Sequence, residues 1–478
     1  MEIARLEPQE VWENFSALNA IPRASKKEEK AILFLEDFGK KLNLETAVDN
    51  VGNIRIRKSA SLGREHHKKV VLQAHVDMVH QKNTDTSFNF ETQGIQMYIE
   101  DGWVKARGTT LGADNGIGVA AMMAVLANDS ISHPPLEALF TVDEETGMTG
   151  AFELQDDFLE GEILLNLDTE EDDEITMGCA GGVDVTASKN YLTTEVASEG
   201  VQIYIRGLQG GHSGMDIDKG RANANVLLSR LLWEGLAHEI QLVEINAGGL
   251  RNAIPREAVA TVIVDNCTSF VNDAQKVIKD IEREYNYLER KMQVELHATK
   301  LKGSAMNKKD SRELIYALKA APNGIFRMSP DIEELVETSN NIARVSLKEG
   351  VLSILCLTRS SVESTKKELA DKLQAVFELA DMKVELSGDY PGWQPNPRSE
   401  IIALLERIYT KKFFNKPKIS AGHAGLECGI IGAKYPQMEM VSFGPTIRGA
   451  HSPDEKVSIS SVQKFWVFLK EILKEMAE

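Results

Sequence analysis

This chain has few cysteines, no net positive charge and no long apolar run, and each absence argues against a class of protein. The 478 residues include 4 cysteines and no CxxC pair, which argues against disulfides and against a thiolate metal site. The formal net charge is -18, so the chain lacks the basic surface needed to bind nucleic acid or an anionic membrane. No run approaches the roughly 20 apolar residues that cross a bilayer.

The N-terminal sequence MEIARLEPQEVWENF lacks the basic and then apolar pattern of a secretory signal. We therefore expect a cytoplasmic protein with neither nucleic acid nor membrane as a partner. Because 42% of the residues are hydrophobic, a chain of this length can form more than one core.

Apolar segments that end in acidic residues dominate the first part of the chain. KVVLQAHVDMV, PLEALFTVDEETG and GEILLNLDTEEDDE are typical of buried strands followed by polar residues. Between them, GTTLGADNGIGVAAMMAVLAN begins with glycines and continues as a predicted helix. Strands that alternate with helices indicate an α/β sheet with a polar site beyond the strand ends.

The pattern changes beyond about residue 190, where alternating strands such as EGVQIYIRGL and amphipathic helices indicate an α+β insertion. A similar strand, helix and strand order returns near 352–388, as expected for two similar units. After the hinge DYPGWQPNP the α/β pattern resumes. We predict a discontinuous α/β/α domain over 1–190 and 390–478, interrupted by an α+β domain over 191–389.

Histidines and carboxylates that follow the predicted strands or glycine-rich turns are the candidate functional residues. Imidazole and carboxylate are the usual ligands of zinc, manganese and cobalt in hydrolases. The candidates are His75, Asp77, Asp114, Glu144, Glu145, Asp168, His212, His423 and His451. The remaining histidines, among them His238 and His297, are expected to be surface or packing residues.

In HVD, residues two apart on a strand point the same way, so His75 can bind a metal while Asp77 accepts its second ring proton. An isolated pair of this kind would more often be a hydrogen-bonded strand end, but this pair is one of several candidates. For Asp114, in a glycine-rich turn at a predicted helix start, metal binding and helix capping are both open.

Adjacent carboxylates at a predicted strand end are costly to ionise together without a cation. One of Glu144 and Glu145 can therefore bind a metal while its neighbour, facing the other way, takes a proton from water. Asp168 is the candidate ligand nearest its strand end, and the tract EEDDE after it is expected to be a solvated face. His212, in GGHSGMD, is expected to contact substrate rather than metal.

In this order, HVDMV, TLGADNGIG, DEETG, NLD, GGHSG and GAHSPDE resemble the dinuclear zinc aminopeptidase and carboxypeptidase family that includes aminoacylase, carboxypeptidase G and carnosinases. GADNGIG, GCAGG, GGHSGMDI and HAGLECG most resemble its aminoacyl-histidine dipeptidase branch, the bacterial peptidase D type. The resemblance covers nearly the whole chain.

The resemblance implies two divalent ions, with zinc expected and cobalt or manganese as alternatives. It implies Asp114 as the bridging ligand, with His75 and Asp168 on one ion and Glu145 and His451 on the other. It further implies that Asp77 orients His75, that Glu144 is the general base and that His212 of the inserted lid donates to the oxyanion. Whether His212 acts in cis or in trans is open.

Capture of a dipeptide's C-terminal carboxylate suits a guanidinium, and Arg359 in LTRSS is the first candidate. Asn252 resembles the family's substrate-contacting asparagine. His423 and Glu427 in GHAGLECG match a segment beside the family's site, and we expect them to bind the substrate or to support the metal ligands. Ordinary roles in strand or turn hydrogen bonds remain alternatives for Arg359 and Asn252.

The predicted activity is hydrolysis of unblocked dipeptides, including Xaa-His and β-alanyl-histidine. An N-acyl amino acid amidohydrolase and a non-catalytic peptide-binding protein are the alternatives. In smaller family members the lid mediates dimerisation, so a homodimer is one expectation. A lid of about 200 residues could instead mimic a partner within one chain.

Overall fold

The computed structural model describes residues 2–478. The α-helices are α1 (Gln9–Asn19), α2 (Glu29–Lys41), α3 (Ala113–Ala127), α4 (Glu144–Gly147), α5 (Thr149–Glu153), α6 (Ala224–Glu234), α7 (Cys267–Tyr285), α8 (Lys308–Ala320), α9 (Glu363–Leu379), α10 (Glu400–Phe413), α11 (Glu427–Lys434) and α12 (Ile459–Met476). Short 3-10 helices cover Ile3–Arg5, Ile217–Lys219 and Gly235–His238.

The strands are β1 (Glu45–Val48), β2 (Ile54–Lys58), β3 (Val70–His75), β4 (Met97–Glu100), β5 (Trp103–Ala106), β6 (Leu136–Thr141), β7 (Ile163–Asn166), β8 (Glu174–Cys179), β9 (Gly181–Asn190), β10 (Thr193–Arg206), β11 (Gly211–His212), β12 (Gln241–Gly248), β13 (Ala253–Ile254), β14 (Ala258–Ile263), β15 (Gln293–Met306), β16 (Gly324–Met328), β17 (Val336–Lys348), β18 (Val351–Ser360), β19 (Lys383–Tyr390), β20 (Lys418–Gly422), β21 (Glu439–Ser442), β22 (Ile447–Arg448) and β23 (Lys456–Ser458).

The chain divides into two compact units. Unit 1 comprises Met1–Gly178, Pro395–Ala421 and Leu426–Glu478. Unit 2 comprises Cys179–Gln394 and Gly422–Gly425. Its first segment begins before and ends after the predicted insertion over 191–389, because β9 and the end of β19 belong to its sheet. The short return at Gly422–Gly425 has no counterpart in the predicted division.

Unit 1 is built on a mixed sheet with the strand order β1-β2-β6-β3-β7-β21-β8-β20. Its centre is parallel, because β3 pairs in parallel with β6 and β7, and β7 does so with β21. β3, β6 and β7 are buried along their whole length, which explains their continuous apolar sequences. The carboxyl ends of parallel strands lie at one edge, so the residues that follow these three strands come together.

The large sheet of unit 2 and its helices contain the same fold twice. Strands β10, β12, β14 and β15 with helices α6 and α7 form one half, in the sheet order β15-β10-β14-β12. Strands β9, β17, β18 and β19 with helices α8 and α9 form the other, in the order β17-β18-β9-β19. Each half is β-α-β-β-α-β with its fourth strand beside its first. The halves join where β12 pairs antiparallel with β17.

The recurring order near 352–388 is therefore the end of the second half, as the two-unit prediction implied. The sequence predicted no insertion of one half into the other, yet β9 precedes the entire first half in the chain. One apolar core serves both halves and includes Ile203, Leu227, Phe270 and Phe377. In the part of the chain that the structure describes, no helix is long and apolar enough to cross a membrane.

A substitution at Gly248 tests the packing where the two halves of unit 2 meet. Gly248 lies at the end of β12. Its φ is +75°, and a Cβ there would overlap the carbonyl oxygen of Ala343. We expect Gly248→Ala to lower the free energy of unfolding by about 1–3 kcal/mol, measured by chemical denaturation.

Gly249→Ala is the matched control, because a Cβ at that neighbouring glycine meets nothing within 4 Å. Equal denaturation midpoints for the two variants would contradict the packing described at the junction.

Candidate metal centre

His75 ends β3 and meets two carboxylates from other segments of unit 1. Its Nε2 lies 3.1 Å from Asp114 Oδ1 and 3.5 Å from Asp168 Oδ1. Its Nδ1 lies 3.3 Å from Asp77 Oδ1, on the opposite side of the ring. The structure thus brings together four residues that the sequence singled out.

A second histidine approaches Asp114 from the other side. His451, in the loop between β22 and β23, places Nε2 3.2 Å from Asp114 Oδ2 and 3.0 Å from Glu145 Oε2. The two oxygens of Asp114 therefore face different groups of ligand atoms. One group contains His75 and Asp168, and the other contains His451 and Glu145.

These separations fit a divalent metal of the zinc class. Bonds of about 2.0–2.2 Å in a tetrahedral shell place neighbouring ligand atoms roughly 3.3–3.6 Å apart. The side-chain atoms of His75, Asp114 and Glu145 come within 4.8 Å of one another. Glu145 Oε1 is buried and has no hydrogen-bond partner among residues 2–478. A cation would supply the partner that this oxygen lacks.

Burial and the neighbouring charges shift the pKa values of the residues in this cluster. Burial raises the pKa of Asp168 to about 6, and the nearby charges of Asp114 and Glu145 act in the same direction. Hydrogen bonds to Asp114 and Glu145 raise the pKa of His451 to about 11. Burial alone would lower the pKa of His75, but Asp168, Asp114 and Asp77 outweigh it and raise that pKa well above 6.5.

Glu144 and Glu145 lie in α4, a single helical turn that begins three residues after β6. The prediction that they face opposite ways at a strand end is wrong, because successive side chains in a helical turn differ by about 100°. Asp77 fixes this turn by accepting the Glu144 backbone N–H at 3.0 Å and the Glu145 N–H at 3.3 Å. Asp77 thus orients both His75 and the carboxylate pair.

The Glu144 side chain is basic for a carboxylate. Burial raises its pKa well above the usual value, and the negative charges of Asp168, Glu427 and Glu145 add to this, while His75 opposes it. A raised pKa makes the ionised carboxylate a stronger proton acceptor.

Asp114 is not a helix cap. It has non-helical backbone angles at the start of α3, and its side chain faces the two histidines. The first backbone N–H groups are capped instead by Glu455, whose carboxylate accepts from Leu111, Gly112 and Ala113 at 2.6–2.9 Å. Of the two alternatives left by the sequence, the geometry favours metal binding.

Arg23 supports the glycine-rich segment before Asp114 through hydrogen bonds to main-chain carbonyls. Its guanidinium is buried and donates to the Val76 carbonyl at 2.8 Å, the Asp77 carbonyl at 3.1 Å and the Gly112 carbonyl. It therefore connects the residues after β3 to the glycine-rich turn before Asp114. Burial lowers the pKa of Arg23 to about 10, which leaves the group charged at neutral pH.

Sequence reasoning missed Glu455, Arg23 and Glu170. Glu455 ends the GAHSPDE motif, which could have drawn attention to it, whereas nothing in the sequence around Arg23 marks it. Glu170 belongs to the tract EEDDE, and the prediction that this tract is a solvated face is wrong for that residue. Burial, with Asp114 and Asp168 nearby, raises the pKa of Glu170 to about 8.

Glu427 lies fully buried in unit 1, at the start of α11. Its Oε2 accepts from Gln73 Nε2 and from Thr141 Oγ1, both at 2.7 Å. Burial raises its pKa to about 7. Gln73 lies on β3, which ends at His75, and Thr141 is opposite His75 in the sheet. Glu427 therefore supports the strand ends that carry the candidate ligands.

Arg359 is a buried guanidinium on β18 of unit 2. It donates from Nη1 to the Tyr390 hydroxyl at 2.8 Å, whereas its Nε has no hydrogen-bond partner within the described chain. Among the residues that the structure describes it forms no ion pair. A buried cation without a carboxylate partner is costly, so the site favours an anionic ligand.

His423 and His212 lie close enough to Arg359 to respond to its charge. Burial and then Arg359 lower the pKa of His423 to about 3, and the same two causes lower the pKa of His212. His423 Nε2 is hydrogen bonded to Ser339 Oγ at 2.7 Å, next to Arg359 in the sheet. Although its sequence position is within the predicted α/β domain, His423 belongs to unit 2.

His212, on β11, has a defined tautomer. Its Nδ1 accepts the backbone N–H groups of Gly214 at 3.2 Å and Met215 at 3.0 Å. The neutral ring therefore carries its proton on Nε2, which can donate. Asn252 is exposed in the turn before β13, and its backbone carbonyl accepts from Ser213 at 2.8 Å.

Comparison with known proteins agrees with this arrangement. The chain is 45% identical to the cytosol non-specific dipeptidase of Escherichia coli K12 over 99% of both chains. Its structure matches aminoacylhistidine dipeptidase from Vibrio alginolyticus with a TM-score of 0.94 and 42% identity, over 99% of this chain and 98% of the other. Aminopeptidase PepT from Bacillus cereus, at 15% identity and a TM-score of 0.59 over 99% and 100% of the chains, shares the fold alone.

Residues 71–475, which include every candidate metal ligand, match the family described as peptidase family M20/M25/M40. The predicted resemblance, the fold class and the assignment as a metal-dependent peptide hydrolase are thereby confirmed. This protein belongs to peptidase family M20/M25/M40.

Proposed function

We propose that this protein hydrolyses unblocked dipeptides in the cytoplasm with two divalent ions, zinc being the expected metal. The position of Asp114 carries the proposal, because its two carboxylate oxygens face separate groups of ligand atoms. His75 and Asp168 would complete one ion's protein ligands, and Glu145 and His451 the other's. The names of the Escherichia coli and Vibrio relatives support dipeptides as substrates, with aminoacyl-histidine dipeptides among them. We also propose β-alanyl-histidine as a substrate.

Two ions held by these residues would supply Lewis acidity toward the scissile carbonyl and the attacking water. Glu144 is the proposed base. Its raised pKa lets it accept the proton of the attacking water and return that proton to the leaving amine. Asp77 holds the base in place through the backbone of α4.

The proposed roles of unit 2 concern the rest of the substrate. His212 would donate its Nε2 proton to the oxyanion, which the tautomer set by Gly214 and Met215 supports. Arg359 would bind the C-terminal carboxylate, since its buried charge has no carboxylate partner among residues 2–478. Asn252 and His423 are proposed as further substrate contacts. Glu427 is proposed as a support for the ligand-bearing strands.

Glu144→Gln tests the base directly. The amide is nearly the same size but cannot accept the proton, so we expect kcat to fall by about 10²–10⁴-fold. Metal content, measured by mass spectrometry, should stay at the wild-type level. Glu153→Gln, at an exposed glutamate of α5, is the control and should retain full activity. Undiminished turnover by Glu144→Gln would refute the assignment.

Arg359→Met tests carboxylate capture. Loss of a charge-assisted hydrogen bond, about 1.5–3 kcal/mol, should lower kcat/KM for a free dipeptide by about 10- to 100-fold. The C-terminal amide of the same dipeptide should be hydrolysed equally by the wild type and the variant. Arg344→Met, in the neighbouring strand, should change neither rate. Equal losses on acid and amide would assign Arg359 a structural role.

N-acetylated dipeptides distinguish the dipeptidase from an N-acyl amino acid amidohydrolase. If the protein is a dipeptidase, carnosine and other free dipeptides should be turned over faster than their N-acetyl analogues. Turnover of acylated substrates alone would favour the amidohydrolase. Binding without turnover at any metal loading would favour a non-catalytic peptide-binding protein.

A further inference from the structure

Two helices and a 3-10 turn of unit 2 bring together three residues that have no part in the site above. Glu234 ends α6, and His238 ends the Gly235–His238 turn that follows. Asp273 lies in the second turn of α7, which packs against both α6 and that turn. Candidate ligand atoms of the three side chains lie within 4.8 Å of one another.

His238 has a nitrogen without a hydrogen-bond partner in this cluster. Its side chain is 11% exposed, and Nε2 lies 3.2 Å from Asp273 Oδ2. This contact between Nε2 and Oδ2 does not have the geometry of a hydrogen bond. The buried Nε2 of His238 has no hydrogen-bond partner in the described part of the chain. A nitrogen that approaches a carboxylate in this way can share a third atom with it.

The surroundings hold the ring in this orientation. Its edge packs on Phe270, with ring centroids 5.7 Å apart and planes inclined at 66°. Its backbone carbonyl accepts the N–H of Asp265 at 3.0 Å. The 3.2 Å separation is also close to the roughly 3.3–3.6 Å expected between neighbouring ligands of tetrahedral zinc.

The two carboxylates can still accept a metal. Lys276 binds Asp273 Oδ1 at 2.7 Å, which leaves Oδ2 towards His238. Glu234 forms no ion pair among residues 2–478. The Asp273 side chain is 33% exposed, so water can reach the cluster and provide a fourth ligand.

His297 shows the contrast with an ordinary surface histidine. Its side chain is 56% exposed, and its Nε2 is hydrogen bonded to Glu295 Oε2 at 3.1 Å. The sequence predicted the same surface or packing role for His238 and His297. In the structure the two histidines differ: His238 is mostly buried and its Nε2 lacks a hydrogen bond, whereas His297 is exposed and forms one.

We propose that Glu234, His238 and Asp273 bind a structural divalent ion of the zinc class that ties α6 to α7. Imidazole nitrogen and carboxylate oxygen both bind ions of this class, and a water would complete four ligands. A metal that binds only the folded unit would stabilise it. The ion takes no part in hydrolysis.

Zinc titration of the metal-free full-length protein tests the proposal. We expect His238→Ala and Asp273→Asn each to bind one zinc equivalent fewer than the wild type. Zinc should also raise their thermal unfolding midpoint less, while the zinc-loaded variants hydrolyse dipeptides at the wild-type rate. His297→Ala is the matched control and should retain every equivalent. A full zinc complement in both His238→Ala and Asp273→Asn would overturn the site.

An Asp114→Asn background separates this site from the proposed catalytic centre. We expect one zinc equivalent to remain there and to disappear when His238→Ala is added. The opposite result is zinc that binds in that background only at millimolar concentration, with an affinity that His238→Ala does not change. Such zinc is an adventitious ion only. That result would overturn the proposal whatever the metal content of the Asp114 site.

Discussion

The burial of several carboxylates close together is the constraint on which the centre of unit 1 depends. Burial and neighbouring negative charge together raise the pKa values of Glu144, Asp168 and Glu170. The chain provides few opposing charges there, chiefly the two histidines and Arg23. Ion pairs of this kind do not offset the burial of so many acids, and a site for divalent cations explains why they are assembled.

The scaffold holds these groups together by making the backbone part of the site. Parallel strands deliver His75, α4 and Asp168 to one edge of the sheet. Asp77 fixes the carboxylate pair through backbone N–H groups, and Glu455 does the same for the segment before Asp114. Because these two carboxylates accept hydrogen bonds from main-chain N–H groups, they fix the backbone that carries the ligands.

The sequence predicted what local pattern can encode. The change from apolar to acidic residues marked His75 and Asp168, because a buried strand must end where polar groups begin. It could not reveal supports that depend on distant pairing, such as Glu455, which accepts from residues more than 300 positions earlier. Likewise, the return of Gly422–Gly425 to unit 2, which carries His423, has no local signal. The helical turn at Glu144 was misread because an acidic strand end and a short helix start look alike.

Anomalous diffraction from crystals of the zinc-loaded protein, recorded at the zinc absorption edge, tests the central claim most directly. The account predicts two peaks beside Asp114, about 3.5–4 Å apart. One should lie next to Oδ1 with His75 and Asp168, and the other next to Oδ2 with His451 and Glu145. A single peak there, or peaks that avoid Asp114, would contradict it.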